Sequence, residues 1–246
     1  MNIKEMTGEA NYTSAPRMVL NEVLLNGAEG HWRKRIWVNK ADDAKPEEEK
    51  LGDKVQVVFL KIRRKLVERG RDGNIARTSN EHNTVNDTIT IFEEGKEVYK
   101  GNAKQAREAY PALRTVQVIY ALLLGGKEPE LVRLTLKGAS LGSENRPKEY
   151  PDFYQYIGSF GENSIVEFVT ELGVLSEKGK MSYYSATYTK GATVASEMVQ
   201  EPLLKVHTYT TQADNLRAKN TPAKEEIADD AIQYPEEDIN PEDIPF

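Results

Sequence analysis

Two stretches of this sequence set cations and flat rings in strand-like alternation, the combination that single-stranded nucleic acid requires. Residues 32–38 read Trp-Arg-Lys-Arg-Ile-Trp-Val. Period-two alternation puts Arg33, Arg35 and Trp37 on one face and Trp32, Lys34, Ile36 and Val38 on the other. Cations replace the counterions along the phosphates, and rings stack on bases, each stack contributing about 1–3 kcal/mol with little regard to sequence. Trp37, between arginines, reads as a stacking residue, whereas Trp32, beside Ile36 and Val38, reads as core. Lys61, Arg63, Arg64, Lys65, Arg69 and Arg71 extend the basic set, and residues 54–77 hold eight bases against two acids. In the second stretch, residues 180–190, alternation gives Lys180, Tyr184, Tyr188 and Lys190 a common face. Aromatic residues are common in any strand, so this pattern fits an ordinary sheet as well as a binding face.

Catalytic patterns do not emerge. His31, His82 and His207 have no metal-ligand spacing, and no Gly-x-Ser-x-Gly, His-Glu-x-x-His or dinucleotide fingerprint occurs. Gly125-Gly126-Lys127 is no phosphate loop, because Ala121 stands where the upstream glycine belongs and Glu128 follows the lysine. The chain has no cysteine, which removes disulfides, thiolate metal sites and cysteine nucleophiles. The expectation is a non-enzyme without cofactor or metal.

Charge is strongly segregated. Of 39 acids and 33 bases in 246 residues, nine acids and no Lys or Arg fall within residues 225–246. The remainder keeps 30 acids against 33 bases, so a +3 body carries a −9 tail. Such asymmetry points to nucleic-acid interaction or a regulatory tail. From residue 219 onward apolar periodicity ends, and four prolines and dense charge predict disorder. The predicted division is a binding domain over 1–218 and a tail over 219–246. Pro241 and Pro245 stiffen the approach to Phe246, whose ring and terminal carboxylate suit an apolar pocket edged by basic side chains.

This ending, Glu-Asp-Ile-Pro-Phe over residues 242–246, resembles the acidic tip of bacterial single-stranded DNA-binding proteins, which finish in aspartates followed by Ile-Pro-Phe. The resemblance implies an oligonucleotide-binding (OB) barrel, single-stranded DNA as ligand, and recruitment of replication, recombination and repair proteins through Asp243, Ile244, Pro245 and Phe246. The body is longer than the usual bacterial core, and no Gly/Gln-rich linker joins it to the tail. That layout is more similar to phage-type single-stranded DNA-binding proteins, and leaves homo-oligomer formation open. An acidic-tailed interaction or chaperone-like protein and an RNA-binding OB protein are the alternatives. With no apolar run at the N-terminus and none longer than seven residues elsewhere, the expected setting is the cytoplasm, away from membranes, and the resemblance implies that of a bacterial cell or phage-infected host.

The elements that must position these groups are mostly strands. Residues 54–64 read as a long strand, residues 69–74 as a hairpin loop, and residues 85–92 and 97–100 as a hairpin about Glu94-Gly95. Residues 114–124 and 131–137 pair about Gly125-Gly126, with Val132, Leu134 and Leu136 on one face and Arg133, Thr135 and Lys137 on the other. Residues 165–175 and 181–190 form a further hairpin turning at 177–179. Short helices are expected over 103–110 and 152–160. Residues 41–53 read as an acidic loop, and residues 202–218 fit strand or helix. Seven or eight strands with two or three short helices predict a mainly β, OB-like barrel, elaborated, with the acidic tail appended.

Overall fold

The computed structural model describes residues 18–36, 47–71, 73–178 and 182–219. Its spine is β4 (Val55–Arg69), fifteen residues long. Alternation along β4 sends Val57 and Phe59 to one side of the sheet and Val58 and Leu60 to the other, so apolar groups are buried on both faces. A bulge between Phe59 and Lys61 interrupts its pairing with β8 (Arg114–Leu123), which runs antiparallel from Val57↔Leu123 to Val67↔Arg114. Gly125, at φ +99°, turns the chain into β9 (Glu130–Lys137), antiparallel to β8.

Strand β1 (Glu22–Asn26) joins β9 in parallel, and β2 (His31–Ile36) and β3 (Glu47–Gly52) follow antiparallel. The second edge of β4 is shared. Its N-terminal end pairs β10 (Phe168–Lys178), which carries β11 (Ser182–Thr193), and its C-terminal end pairs β5 (Ile75–Ser79). Beyond β5 lie β6 (Thr88–Glu93) and β7 (Lys96–Asn102), joined by Glu94 and Gly95, both with positive φ as a two-residue hairpin turn demands. The main path is β3-β2-β1-β9-β8-β4-β5-β6-β7, with β10-β11 branching from β4.

One face of this sheet wraps the principal core of Val23, Trp32, Val57, Phe59, Ile119, Leu134, Leu172 and Tyr188. Helix α2 (Phe153–Gly158) packs into it. Asp152 and Gln155 form a capping box at its start, and Phe153, Tyr156 and Phe160 enter the cluster. Tyr156 stacks on Tyr188 at 5.5 Å and shares a 2.8 Å hydrogen bond with Thr170. The sheet curls until β11 meets the β1–β2 turn, where the Tyr184 N–H donates to the Gly27 carbonyl at 2.9 Å. The Tyr184 ring lies on Gly30, whose φ is +67° and whose added Cβ would come within 2.7 Å of it.

The opposite face of β4 and β8 is covered by α3 (Ser196–Lys219), through Val199, Leu203, Val206 and Tyr209 against Val58, Leu60, Val118, Tyr120 and Leu122. The undecided stretch over 202–218 is therefore helix, and Pro202 sits inside it. A third core, Leu66, Ile89, Ile91, Ala103, Ala106 and Leu113, ties β5–β7 to helix α1 (Ala103–Ala109).

The mainly β expectation holds, with eleven strands among the described residues against seven or eight expected. One addition is β3, whose Glu-Glu-Glu-Lys read as loop. It pairs with β2 because Lys34 and Arg35 lie opposite Glu49 and Glu48 and Arg33, which itself faces Lys50, reaches diagonally to Glu48, so cross-strand charge supplies what apolar periodicity lacks. Strand β10 begins at Phe168, since residues Ile165–Glu167 form a 3-10 turn. No helix among the described residues is long and apolar enough to cross a membrane.

Candidate nucleic-acid interface

Strand register arranges the outward side chains in rows across the sheet. One row runs Lys61, Tyr120, Arg133, Glu22, Arg35, Glu48 across β4, β8, β9, β1, β2 and β3. The next runs Arg63, Val118, Thr135, Leu24, Arg33, Lys50 across the same strands. A third begins Lys65, Val116, Lys137. The alternate residues Val23, Trp32, Ile119, Val132, Leu134 and Leu136 fill the principal core, so these rows face away from it.

Carboxylates hold part of the cationic surface in place. Arg33 bonds Glu48 at 2.7 Å, Arg35 reaches Glu48 at 3.3 Å and Glu22 at 3.4 Å, and Arg133 lies 3.6 Å from Glu22. Two acids thus order three guanidiniums, and Lys61, Lys50 and Lys137 stand in the same rows beside them. Desolvation lowers the pKa of Lys137, and the charges of Arg69 and Arg33 lower it further, with Arg35 adding to them against Glu22. The end of the rows is therefore a place where positive charges crowd one another, and a phosphate there would relieve the repulsion.

The residues expected from sequence divide clearly. Arg33, Arg35, Lys61 and Lys65 lie on this face, and Arg69 at the end of β4 and Arg71 in the turn that follows are exposed, with Arg69 donating to the Gly73 carbonyl at 2.6 Å. Arg64 is out of phase with Arg63 and Lys65 and pairs through its backbone with His82. Trp32 is fully buried, in keeping with its reading as core. Trp37, Lys180, and the tip residues Asp243, Ile244, Pro245 and Phe246 lie outside the described residues.

Arg63 and Tyr188 require correction as exposed contacts. Arg63 is 2% exposed beneath α3, with two bonds to Asp214 at 2.7 and 2.8 Å and a third to the Glu81 carbonyl at 2.9 Å. Tyr184 and Tyr188 do share a face, but it is the inward one. Tyr188 is buried against Tyr156 and Phe153 and donates to the Ser140 carbonyl, while Tyr184 packs on Gly30. Lys190 on that strand stands 3.7 Å from the Phe168 ring centroid, a cation–π contact internal to the fold.

Arg133, Lys137, Lys50 and Tyr120 belong to the face and were not singled out from sequence as site residues. The alternation of Arg133 and Lys137 was visible, but their place beside Arg33 and Arg35 depends on β1 pairing with β9 across more than a hundred residues. Among the described residues, no group of three or more His, Asp or Glu side chains is placed to hold a metal ion. In comparisons with known proteins no family model, curated protein or solved structure matches the chain.

Proposed function

We propose that this chain is a non-catalytic single-stranded DNA-binding protein built on an elaborated OB-like barrel, acting in replication, recombination or repair. The observation that carries the proposal is the set of cations on the face away from the principal core, Lys61 and Lys65 from β4, Arg133 and Lys137 from β9 and Arg33 and Arg35 from β2. Rows of Lys and Arg spaced by strand pairing suit a backbone of repeating phosphates, and binding of this kind reads charge and base faces with little sequence preference.

Topology supports the barrel reading. Strands β4, β8 and β9 form a meander, α2 follows, and the β10–β11 hairpin returns to pair with β4. An OB barrel has five strands and binds oligonucleotides across its second and third strands, with help from the loop joining the first two. In that correspondence β8 and β9 are the binding strands, and β5–β7 with α1 enlarge the assisting loop. Strand β1, parallel to β9 with its following turn bonded to β11, is the added strand.

The acidic tail completes the proposal on sequence grounds. Asp243, Ile244, Pro245 and Phe246 recruit partner enzymes, and the acids over 225–246 compete with DNA for the basic face. The setting is then the cytoplasm of a bacterium or phage-infected host. The test is fluorescence anisotropy of labelled oligo(dT) and oligo(rU) at two salt concentrations, with the full chain and with residues 225–246 deleted. Expected are oligo(dT) binding that weakens with salt and a tighter complex after deletion at low salt. Absence of binding by both forms would refute the proposal, and stronger binding of oligo(rU) would reassign the ligand to RNA.

A further inference from the structure

The outward face is incomplete while α3 lies on it. Arg63 stands in the same row as Arg33 and Lys50, and Tyr120 stands between Lys61 and Arg133, yet Arg63 and Tyr120 are 2% and 3% exposed. What covers them is the C-terminal part of α3. Tyr209 meets Tyr120 edge to face at 6.2 Å, and the Asp214 carboxylate occupies both arms of the Arg63 guanidinium. A carboxylate held this way has the two-oxygen geometry that a backbone phosphate would present to the same fork.

The two parts of the helix are held differently. Val199, Leu203 and Val206 fix its first part through apolar packing on Val58, Leu60 and Leu122. After Thr210 the helix meets the sheet through the Asp214–Arg63 pair and around a cavity of about 160 Å³. Arg63, Lys65, Ser79, Tyr209, Thr210 and Ala213 all line that cavity. The Thr210 hydroxyl bonds back to the Val206 and His207 carbonyls, a pattern that bends helices, and Thr208, Thr210 and Thr211 are all weak helix formers.

We infer that the last turns of α3, from Tyr209 onward, are a displaceable cover over a second part of the DNA-binding surface, formed by Arg63, Lys65 and Tyr120. Single-stranded DNA enters by replacing the Asp214 carboxylate on Arg63 with a phosphate, and a base takes the place of the Tyr209 ring on Tyr120. The anchored first part of α3 stays seated, so the apolar surface beneath it remains covered. This inference rests on the proposed DNA-binding function and names a site and an opening step that the exposed rows alone do not supply.

The experiment uses the full chain. Oligo(dT) affinity is compared for wild type, Asp214→Asn, and Glu94→Gln, which removes the same charge at the remote β6–β7 turn. Hydrogen exchange over residues 208–219 is followed with and without oligo(dT). Asp214→Asn should bind about threefold or more tighter than wild type, the scale of one partly exposed ion pair, with Glu94→Gln near wild type. Wild-type exchange in this segment should speed up on adding DNA. Failure of wild type to bind oligo(dT) would remove the underlying function. Binding by wild type with equal effects of both substitutions, or with slower exchange over 208–219, would overturn the cover while leaving that function standing.

Discussion

Arg63 on β4 and Asp214 on α3 meet in a two-point contact, at 2.7 and 2.8 Å, across 151 residues of sequence. The pair is asymmetric. Arg63 has 2% of its side chain exposed and Asp214 39%, so the cation depends on its partner more than the anion does. Breaking a fully buried pair costs about 3–5 kcal/mol, but the solvent side of this one reduces the figure. Asp214→Ala should destabilise the fold by about 1–3 kcal/mol in urea unfolding, since it strands a buried guanidinium. Arg63→Met, which leaves behind only a carboxylate that water can reach, should cost less. The reverse order would show that the guanidinium is hydrated in the absence of its partner.

Gly30 closes the sheet by letting the Tyr184 ring approach its backbone. Alanine there meets two penalties: a positive φ of +67° and a Cβ 2.7 Å from the ring. Gly95 has a comparable φ of +79° with open space around it, so alanine there meets only the first. Gly95→Ala should cost about 1 kcal/mol and Gly30→Ala about 2–3 kcal/mol in chemical denaturation. Equal losses would mean that Tyr184 moves aside freely and that β11 is not seated on the β1–β2 turn.

His82 gives the fold a sensitivity to mild acid. Burial lowers its pKa, and the nearby Arg63 and Arg64 act in the same direction, against a backbone contact with Asn80 and the charge of Asp87. The unfolded chain therefore takes up a proton near the ordinary value of 6.5 while the folded chain resists it. Stability is full above that pH and declines as pH falls from about 6.5 toward the lower folded-state pKa. His82→Gln should flatten this part of the stability curve between about pH 7 and 5. An unchanged slope in the variant would assign the titration to another group.

The strands of this fold were legible where apolar alternation or turn residues marked them. Residues 114–124, 131–137 and the Glu94-Gly95 hairpin needed no long-range information. Strand β3 was hidden because its partners are charges on β2 and its own face has almost no apolar residue. The candidate site was legible by composition more than by position. Arg33, Arg35, Lys61 and Lys65 carry their cationic character in sequence, but which face of a strand meets α3 is decided by packing. Alternation groups Lys61, Arg63 and Lys65 equally, and only the seating of α3, whose Asp214 lies on Arg63, buries the middle one. Tyr188 was misplaced for a related reason: a strand with rings on one face reads the same whether that face meets solvent or α2.

The final prediction separates phosphate contacts from general charge. Lys137 and Arg133 project from β9 on the proposed binding face, whereas Lys54 stands at the start of β4 and bonds Glu171 at 2.8 Å. Each phosphate contact on single-stranded nucleic acid contributes about −0.7 to the slope of log affinity against log salt. Lys137→Gln and Arg133→Gln should each weaken oligo(dT) binding and make that slope shallower by about 0.7, and the double variant by about 1.4. Lys54→Gln, an equal loss of charge away from the rows, should leave the slope as it is. Because Lys137 is also crowded by Arg69, Arg33 and Arg35, its loss relieves repulsion in the free protein, so Lys137→Gln should show little or no destabilisation in urea. If all three substitutions change the slope alike, the protein attracts DNA by its overall field and the rows across β8, β9, β1 and β2 are not its path.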